Sequence, residues 1–207
     1  MLASAILPGR CFGQAQDAGR VVTSVPCAFH GDEPKPGPAC LLAHEGLGAL
    51  PKGPLYWYID VFPTARSAGA DKGHHGVVVA DFGKVWLFTI ASKGCRPLKG
   101  SHVASIGPLP VVQARSFSAE YVHAFFAPRM SAPAHKHSGP EASYSLDGDT
   151  CLEMRAGVHA GRGPGNVALM PAGEQMLLMA IGSIPRRAFA LVLHVPPRPA
   201  TTRHDPR

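Results

Sequence analysis

The sequence predicts an all-β protein, and three observations lead there. Its 207 residues include 23 Gly and 21 Pro, enough turn formers to cut the chain into short segments. Between those breakers recur short runs rich in Val, Ile, Phe, Tyr and Trp, as strands require. No stretch carries a long apolar period of 3.6 residues, so no amphipathic helix of consequence is expected. With 45% hydrophobic and 16% charged residues the chain is not largely disordered, and it is long enough to bury a core without staples.

Residues 1–20, which open MLASAILPGRCFGQAQDAG, read as a short apolar run, a breaker, and small residues around Gly13 to Ala15 that can serve as a cleavage site. Such a leader implies a periplasmic or secreted protein. No Lys or Arg precedes the run, so a disordered tail on a cytoplasmic protein is the alternative. No later segment holds the roughly 18 or more consecutive apolar residues of a membrane span.

Residues 21–99 are expected to form an N-terminal extension with added strands. Residues 16 to 54 are rich in Gly, Pro and charge and should wrap rather than build core, with LLAHEGLGALP as one short helical turn. From Leu55 come three β-type runs, LYWYIDVF, GVVVADF and KVWLFTIA. The last two read as a hairpin turning at Asp81 to Gly83, and RSAGADKGHH at residues 66 to 75 as the loop before it. Residues 100–197 carry a denser series, EYVHAFFAP, EASYSL, TCLEMRA, NVALMP, MLLMAIG and RRAFALVLHV, at the spacing of sandwiches and barrels. Residues 198–207 form a basic tail.

Charge and cysteine usage narrow the function classes. The net charge of +6 comes from scattered Lys and Arg, without a basic stripe or a reading motif, so no nucleic-acid partner is expected. Cys11, Cys27, Cys40, Cys95 and Cys151 form no CxxC pair, which supports neither a zinc ribbon nor a redox motif. An odd count leaves at least one free thiol. Cys27 and Cys40 can pair if the protein is exported; five small, unpaired thiols are the simpler expectation.

The chemistry-bearing stretch is HKHSGPEASYSLDG. His135 and His137 are separated by one residue, so on a strand both imidazoles point to one face. Beyond the Ser138-Gly139-Pro140 turn, Glu141 opens the next strand and can deliver a carboxylate to the same place. Two imidazoles and one carboxylate suit Fe, Mn, Ni, Cu or Zn as a divalent ion, with open positions for water or substrate.

These residues resemble the cupin superfamily. Its first motif runs G, five residues, HxH, three or four residues, E, six residues, G; here His135, His137, Glu141 and Gly148 match, and Arg129 stands at the leading Gly. Its second motif runs G, five residues, PxG, two residues, H, three residues, N; here Gly165, Pro171 and Gly173 match, Met176 replaces the fourth ligand and Ala180 the Asn. The resemblance covers about residues 121 to 194. It implies a double-stranded β-helix, or jelly-roll barrel, for residues 100–197, with a metal held by His135, His137 and Glu141. It also implies a small-molecule substrate or ligand and a homodimer.

Met176 leaves three outcomes: a three-ligand site, a substitute ligand, or no metal, since a thioether is a poor donor for hard divalent ions. The candidate substitutes are Glu174 and Gln175 in the preceding turn, and His123 and His194 on strands a barrel can bring near. His123 and Glu174 are also the first candidates for an acid or base. Ser143 and Ser145 share the Glu141 face, so the interior beside the site is expected to be small and polar. Met154, Met170, Met176 and Met179 read as core filler, and His74 and His75 as surface residues. GRGPG at 161 to 165 is a turn, because no GK[ST] follows, and no GxSxG elbow marks a serine nucleophile.

Two function classes follow. One is a metal-dependent enzyme of dioxygenase, isomerase or lyase type acting on a small organic molecule. The other is a non-catalytic module that binds or senses a small ligand or metal, which the loss of the fourth ligand favours. A scaffold serving only dimer assembly is the third.

Overall fold

A computed structural model describes Val22–Thr23 and residues 39 to 203. The leader-like segment, Cys11, Cys27 and the last four residues lie outside the described residues. Fifteen strands and one short helix are found among those described, and the strands form three five-stranded sheets.

The first sheet is built from β1 (Val22–Thr23), β3 (Leu55–Phe62), β4 (Gly76–Asp81), β5 (Lys84–Ser92) and β6 (Ser101–Ile106), in the order β1-β4-β5-β3-β6. Its β4–β5 hairpin turns on Phe82 and Gly83, as the sequence indicates. Both have positive φ, 48° and 69°, the conformation a two-residue hairpin needs to match strand twist.

The remaining strands form a barrel. One wall contains β12 (Val167–Met170), β9 (Glu141–Asp147), β14 (Arg186–His194), β7 (Phe117–Phe126) and β2 (Cys40–Gly48), in that order. The facing wall contains β11 (Gly157–Gly161), β10 (Asp149–Met154), β13 (Met176–Ile181), β8 (His135–His137) and β15 (Thr201–Arg203). From β7 to β10, and again from β12 to β15, successive strands alternate between the walls. That alternation makes the domain a cupin-type double-stranded β-helix, an all-β fold as expected.

Side-chain alternation sorts the barrel residues into two cores, and Phe62, Ala68, Val78 and Leu87 form a third, smaller one on the other face of the first sheet. The outer faces of β7, β9 and β14 bury Ala119, Tyr121, Ala142, Phe189, Leu191 and Leu193 against Trp57, Ile59, Trp86 and Phe88 of the first sheet. Phe189 meets Trp86 edge-on at 4.9 Å and Phe88 at 5.0 Å, while Phe88 stacks on Tyr121 at 5.4 Å. The second core lies inside the barrel, where Phe126, Leu152, Met170, Met176 and Leu178 fill one region. Residues 55 to 106 thus supply a separate sheet that covers the barrel from outside.

Four expectations are corrected. Most of LLAHEGLGALP is strand β2, not a helical turn, and the segment contributes Leu42, Leu47 and, just past the strand, Leu50 to the main core. Register shifts at Leu41/Ala43 and Gly46/Gly48 break its period of two, which hid the strand. The loop expected at residues 66 to 75 contains helix α1 (Ala65–Asp71), capped by Thr64, whose Oγ1 accepts from the Ser67 N–H at 3.1 Å. Ser in place of Glu or Gln at the third position, and Gly69 within a helix of about two turns, left little helical signal. The basic tail includes β15, which pairs with β8 through Thr201↔His137 and Arg203↔His135. A fourth correction concerns the thiols: against the expectation of five unpaired thiols, Cys40 and Cys95 are each disulfide-bonded, and Cys151 is free.

Two motif positions show why their residue types matter. Gly148 joins β9 to β10 at φ +74°, and an added Cβ would lie 2.7 Å from the Arg186 Cα. Arg129, at the position of the leading Gly, is forced to φ +68° by the turn before β8. Gly148→Ala should therefore cost about 2–3 kcal/mol in urea unfolding, against about 1 kcal/mol for Gly165→Ala, which has positive φ but open space around it. Arg129→Gly should leave stability equal or slightly raised; equal losses at all three positions would contradict this account.

Candidate metal centre

Local strand geometry builds the site. His135 and His137 lie at alternate positions of β8, which is held between β13 and β15 by the pairs Met176↔His135 and Thr201↔His137. The Ser138-Gly139-Pro140 turn passes so close to β14 that a Cβ on Gly139 would meet the Leu193 carbonyl oxygen at 1.6 Å. Only Gly permits that approach, and it delivers Glu141 at the head of β9. The ligand atoms of His135, His137 and Glu141 lie within 4.8 Å of one another. His137 and Glu141 are buried, 6% and 7% exposed, and His135 is half-buried toward solvent.

Hydrogen bonding orients the donors. The His135 Nδ1 lies 2.7 Å from the Pro133 carbonyl oxygen, and the His137 Nδ1 3.2 Å from that of Ala200, with Thr201 Oγ1 at 3.0 Å. A carbonyl only accepts, so each Nδ1 carries a proton, and in the neutral ring each Nε2 has a lone pair for the centre. Glu141 Oε2 sits 2.8 Å from His137 Nε2, buried and without another partner. Two lone-pair atoms facing each other at that distance need a proton or a cation between them. The donor set fits a divalent ion on this observation. The pair also holds the His137 pKa above its ordinary value: burial pulls it down, but the hydrogen bond and charge of Glu141, joined by the charge of Glu120, outweigh that.

The wall around the trio matches the expected small, polar interior. Cross-strand partners point the same way, so the pairs Val192↔Glu141, Ala190↔Ser143 and Ala188↔Ser145 place Ala188, Ala190 and Val192 of β14 on the inner face. Ser143, Ser145 and Thr150 are buried there, Ser145 within 3.3 Å of Thr150. Met176 faces inward beside His135 and is 2% exposed. The vacated fourth position is thus on the metal-facing side.

The other sequence candidates are sorted by face. His123 is on the outer face of β7, where its Nδ1 lies 3.0 Å from Asp81 and its ring packs on Phe82, so it is excluded as a ligand or as an acid or base for this site. Glu174 accepts from the Ala156 N–H at 3.3 Å. With exposed Gln175 and Lys136 it borders a cavity of about 480 Å³ whose lining also includes Met154 and Met176, and it is not part of the trio. His194 is on the inner face next beyond Val192, but its Nδ1–H goes to the Arg198 carbonyl at 3.0 Å and it is not part of the trio. Met154 and Met170 pack in the barrel core as filler, while Met179 is on the opposite face from Met176.

Two inward residues were missed. Glu120 pairs with Val192, the partner of Glu141, and so faces the trio from two strands away. Arg186 is 1% exposed within the barrel. Neither belongs to a motif, and only the pairing register reveals its direction. A further group, invisible without the elbow motif, lies on the first sheet: His102 Nδ1 is 2.8 Å from buried Asp60 and its Nε2 is 2.9 Å from Ser105 Oγ. Burial holds Asp60 above the usual carboxylate range despite His102, and Ser105 is exposed near the end of β6, on a different sheet from the trio.

No family model and no curated protein matches the chain. Part of it is similar to solved cupin-type structures. A DMSP lyase from Ruegeria pomeroyi shares 19% identity over 41% of this chain and 42% of its own, with a TM-score of 0.35. A sugar phosphate isomerase from a cupin superfamily, from Silicibacter pomeroyi, shares 20% over 43% and 57%, with a TM-score of 0.34. An RmlC-like cupin family protein with a double-stranded β-helix fold, from Methanocaldococcus jannaschii, shares 19% over 35% and 67%, with a TM-score of 0.33. The chain spans about half the length of the first two.

Because Met176 points inward beside His135, Met176→His should add a fourth ligand, the third imidazole, and tighten Zn(II) binding at least tenfold in competition with a chromogenic chelator. Unchanged affinity would place the residue 176 side chain out of reach of the ion.

Proposed function

We propose that this is a cupin-type protein holding one divalent ion on His135, His137 and Glu141 and acting on a small organic molecule in the barrel. The observation that carries it is the convergence of three ligand atoms within 4.8 Å, with both histidines already oriented through Nδ1. Fe, Mn, Ni, Cu or Zn fits the two-nitrogen, one-oxygen donor set. When bound, the ion would supply Lewis-acid polarisation, or redox chemistry if it is iron or copper.

The chain's own residues then do three things. Ser143, Ala188 and Ala190 put small side chains on the inner wall beside the centre. Ala200 and Thr201 fix the His137 ring. Glu120, half-buried and facing the trio, is the group best placed to take or return a proton, in place of His123 and Glu174. A dioxygenase, an isomerase and a lyase are each compatible with this arrangement.

A second reading, a non-catalytic module that binds or senses a ligand or metal, is favoured by Met176. A buried thioether at the fourth position weakens the hold on a hard ion and makes the pocket more apolar. We also propose export to the periplasm or beyond, supported by the disulfide bonds of Cys40 and Cys95, and assembly as a homodimer, as the cupin resemblance implies. Among the described residues no helix is long and apolar enough to cross a membrane.

Elemental analysis of untagged protein should give about one equivalent of a transition metal. His135→Ala with His137→Ala should bring it below a tenth of an equivalent while the far-ultraviolet spectrum stays that of the wild type. Wild-type protein without metal, and without a rise in melting temperature on adding these ions, would refute the metal site. Glu120→Gln should lower turnover on any substrate found by at least a hundredfold with metal content unchanged.

A further inference from the structure

Arg186 is a charged group buried within the barrel without a counter-ion. It is 1% exposed, and no carboxylate lies within 4.0 Å of it among the described residues. Its Nε–H donates to Thr150 Oγ1 at 2.6 Å and an Nη2–H to Ser143 Oγ at 2.8 Å. Its guanidinium also lies 6.0 Å from the Phe126 ring centre. The two hydroxyls leave three of its five N–H donors without a protein acceptor. Burial pushes its pKa down to about 10, against the pull of Glu141, so it remains charged at neutral pH.

A buried cation of this kind is costly unless something neutralises it. Glu141 is the acid whose charge reaches it, and a metal ion on the trio would claim that charge. A divalent ion and Arg186, set against Glu141 and the half-buried Glu120, then leave the interior with a net positive charge. The excess lies along one wall: Ser143, which holds the guanidinium, is two residues from Glu141 on the same face of β9, roughly 7 Å along the strand. That is the reach of a small organic acid.

We propose that the barrel takes a small organic carboxylate, its carboxyl group held by Arg186 and the rest of the molecule directed toward the His135–His137–Glu141 centre. Arg186 presents a planar fork that matches a planar carboxylate. A phosphate dianion would ask for more donors than one guanidinium and two hydroxyls already engaged with it. The substrate class rests on the metal assignment above, whereas the anion site itself stands on Arg186 alone.

The test uses full-length protein, once with Zn(II) and once with EDTA, titrated calorimetrically with acetate, benzoate, oxalate and succinate and with the matched amides. Wild type should bind at least one carboxylate ten times or more tighter than its amide, in both metal states, and tighter with Zn(II). Arg186→Met should remove the preference, Arg186→Lys should keep part of it, and Ser143→Ala should weaken the carboxylate threefold to tenfold. Ser143→Ala and Arg186→Lys decide the matter if Arg186→Met does not fold.

Equal affinity for acid and amide in wild type, or a preference unchanged in these variants, overturns the proposal. So does inorganic phosphate binding tighter than every carboxylate. A carboxylate preference that Zn(II) does not enhance counts against the metal centre and leaves Arg186 as the anion site. Stoichiometric Zn(II) without the preference does the reverse.

Discussion

The aromatic contact of Phe189 with Trp86 and Phe88 sets the terms for the barrel. Side chains on a strand alternate, so burying Phe189, Leu191 and Leu193 outward against the first sheet obliges Ala188, Ala190 and Val192 to face inward. A slip of one residue in β14 would exchange the two sets and put three large apolar side chains into the pocket. The cost of losing even one buried Phe is about 3–5 kcal/mol, so the register is strongly held. Through β14 the same constraint orients β9 and β7, and with them Glu141, Ser143 and Glu120.

Within that frame the site depends on two close approaches and two carbonyls. Gly139 lets the turn after His137 press against Leu193, and Gly148 lets the turn after β9 press against Arg186. The carbonyls of Pro133 and Ala200 fix the imidazole orientation. The Ala200 contact comes from beyond the barrel's last long strand, so a segment that reads as tail is part of the support for His137. This differs from the core, whose packing tolerates substitution of similar volume; a ligand rotated by a small angle loses its lone-pair direction.

How much of this could be read from the residues follows from which features are local. HxH spacing on a strand and the following turn are local, and the trio converges as the seven residues from His135 to Glu141 imply. The hairpin at Phe82 and Gly83 is local too. Glu120 and Arg186 were out of reach because their meaning depends on partners two strands or forty residues away. His123 was misplaced for the same reason: an odd-numbered position on β7 faces the first sheet, and nothing within EYVHAFFAP says which face is the barrel. β2 escaped because its bulges erase the period that marks a strand.

The central claim is that the inward face of β8 and β9 holds a metal ion on His135, His137 and Glu141. Anomalous diffraction from crystals grown with Mn(II) or Zn(II) tests it most directly. The account predicts one strong peak about 2.0–2.3 Å from the Nε2 atoms of both histidines and a Glu141 oxygen. A peak bound through Nδ1 or elsewhere on the molecule, or none at full occupancy of the added ion in solution, would contradict it.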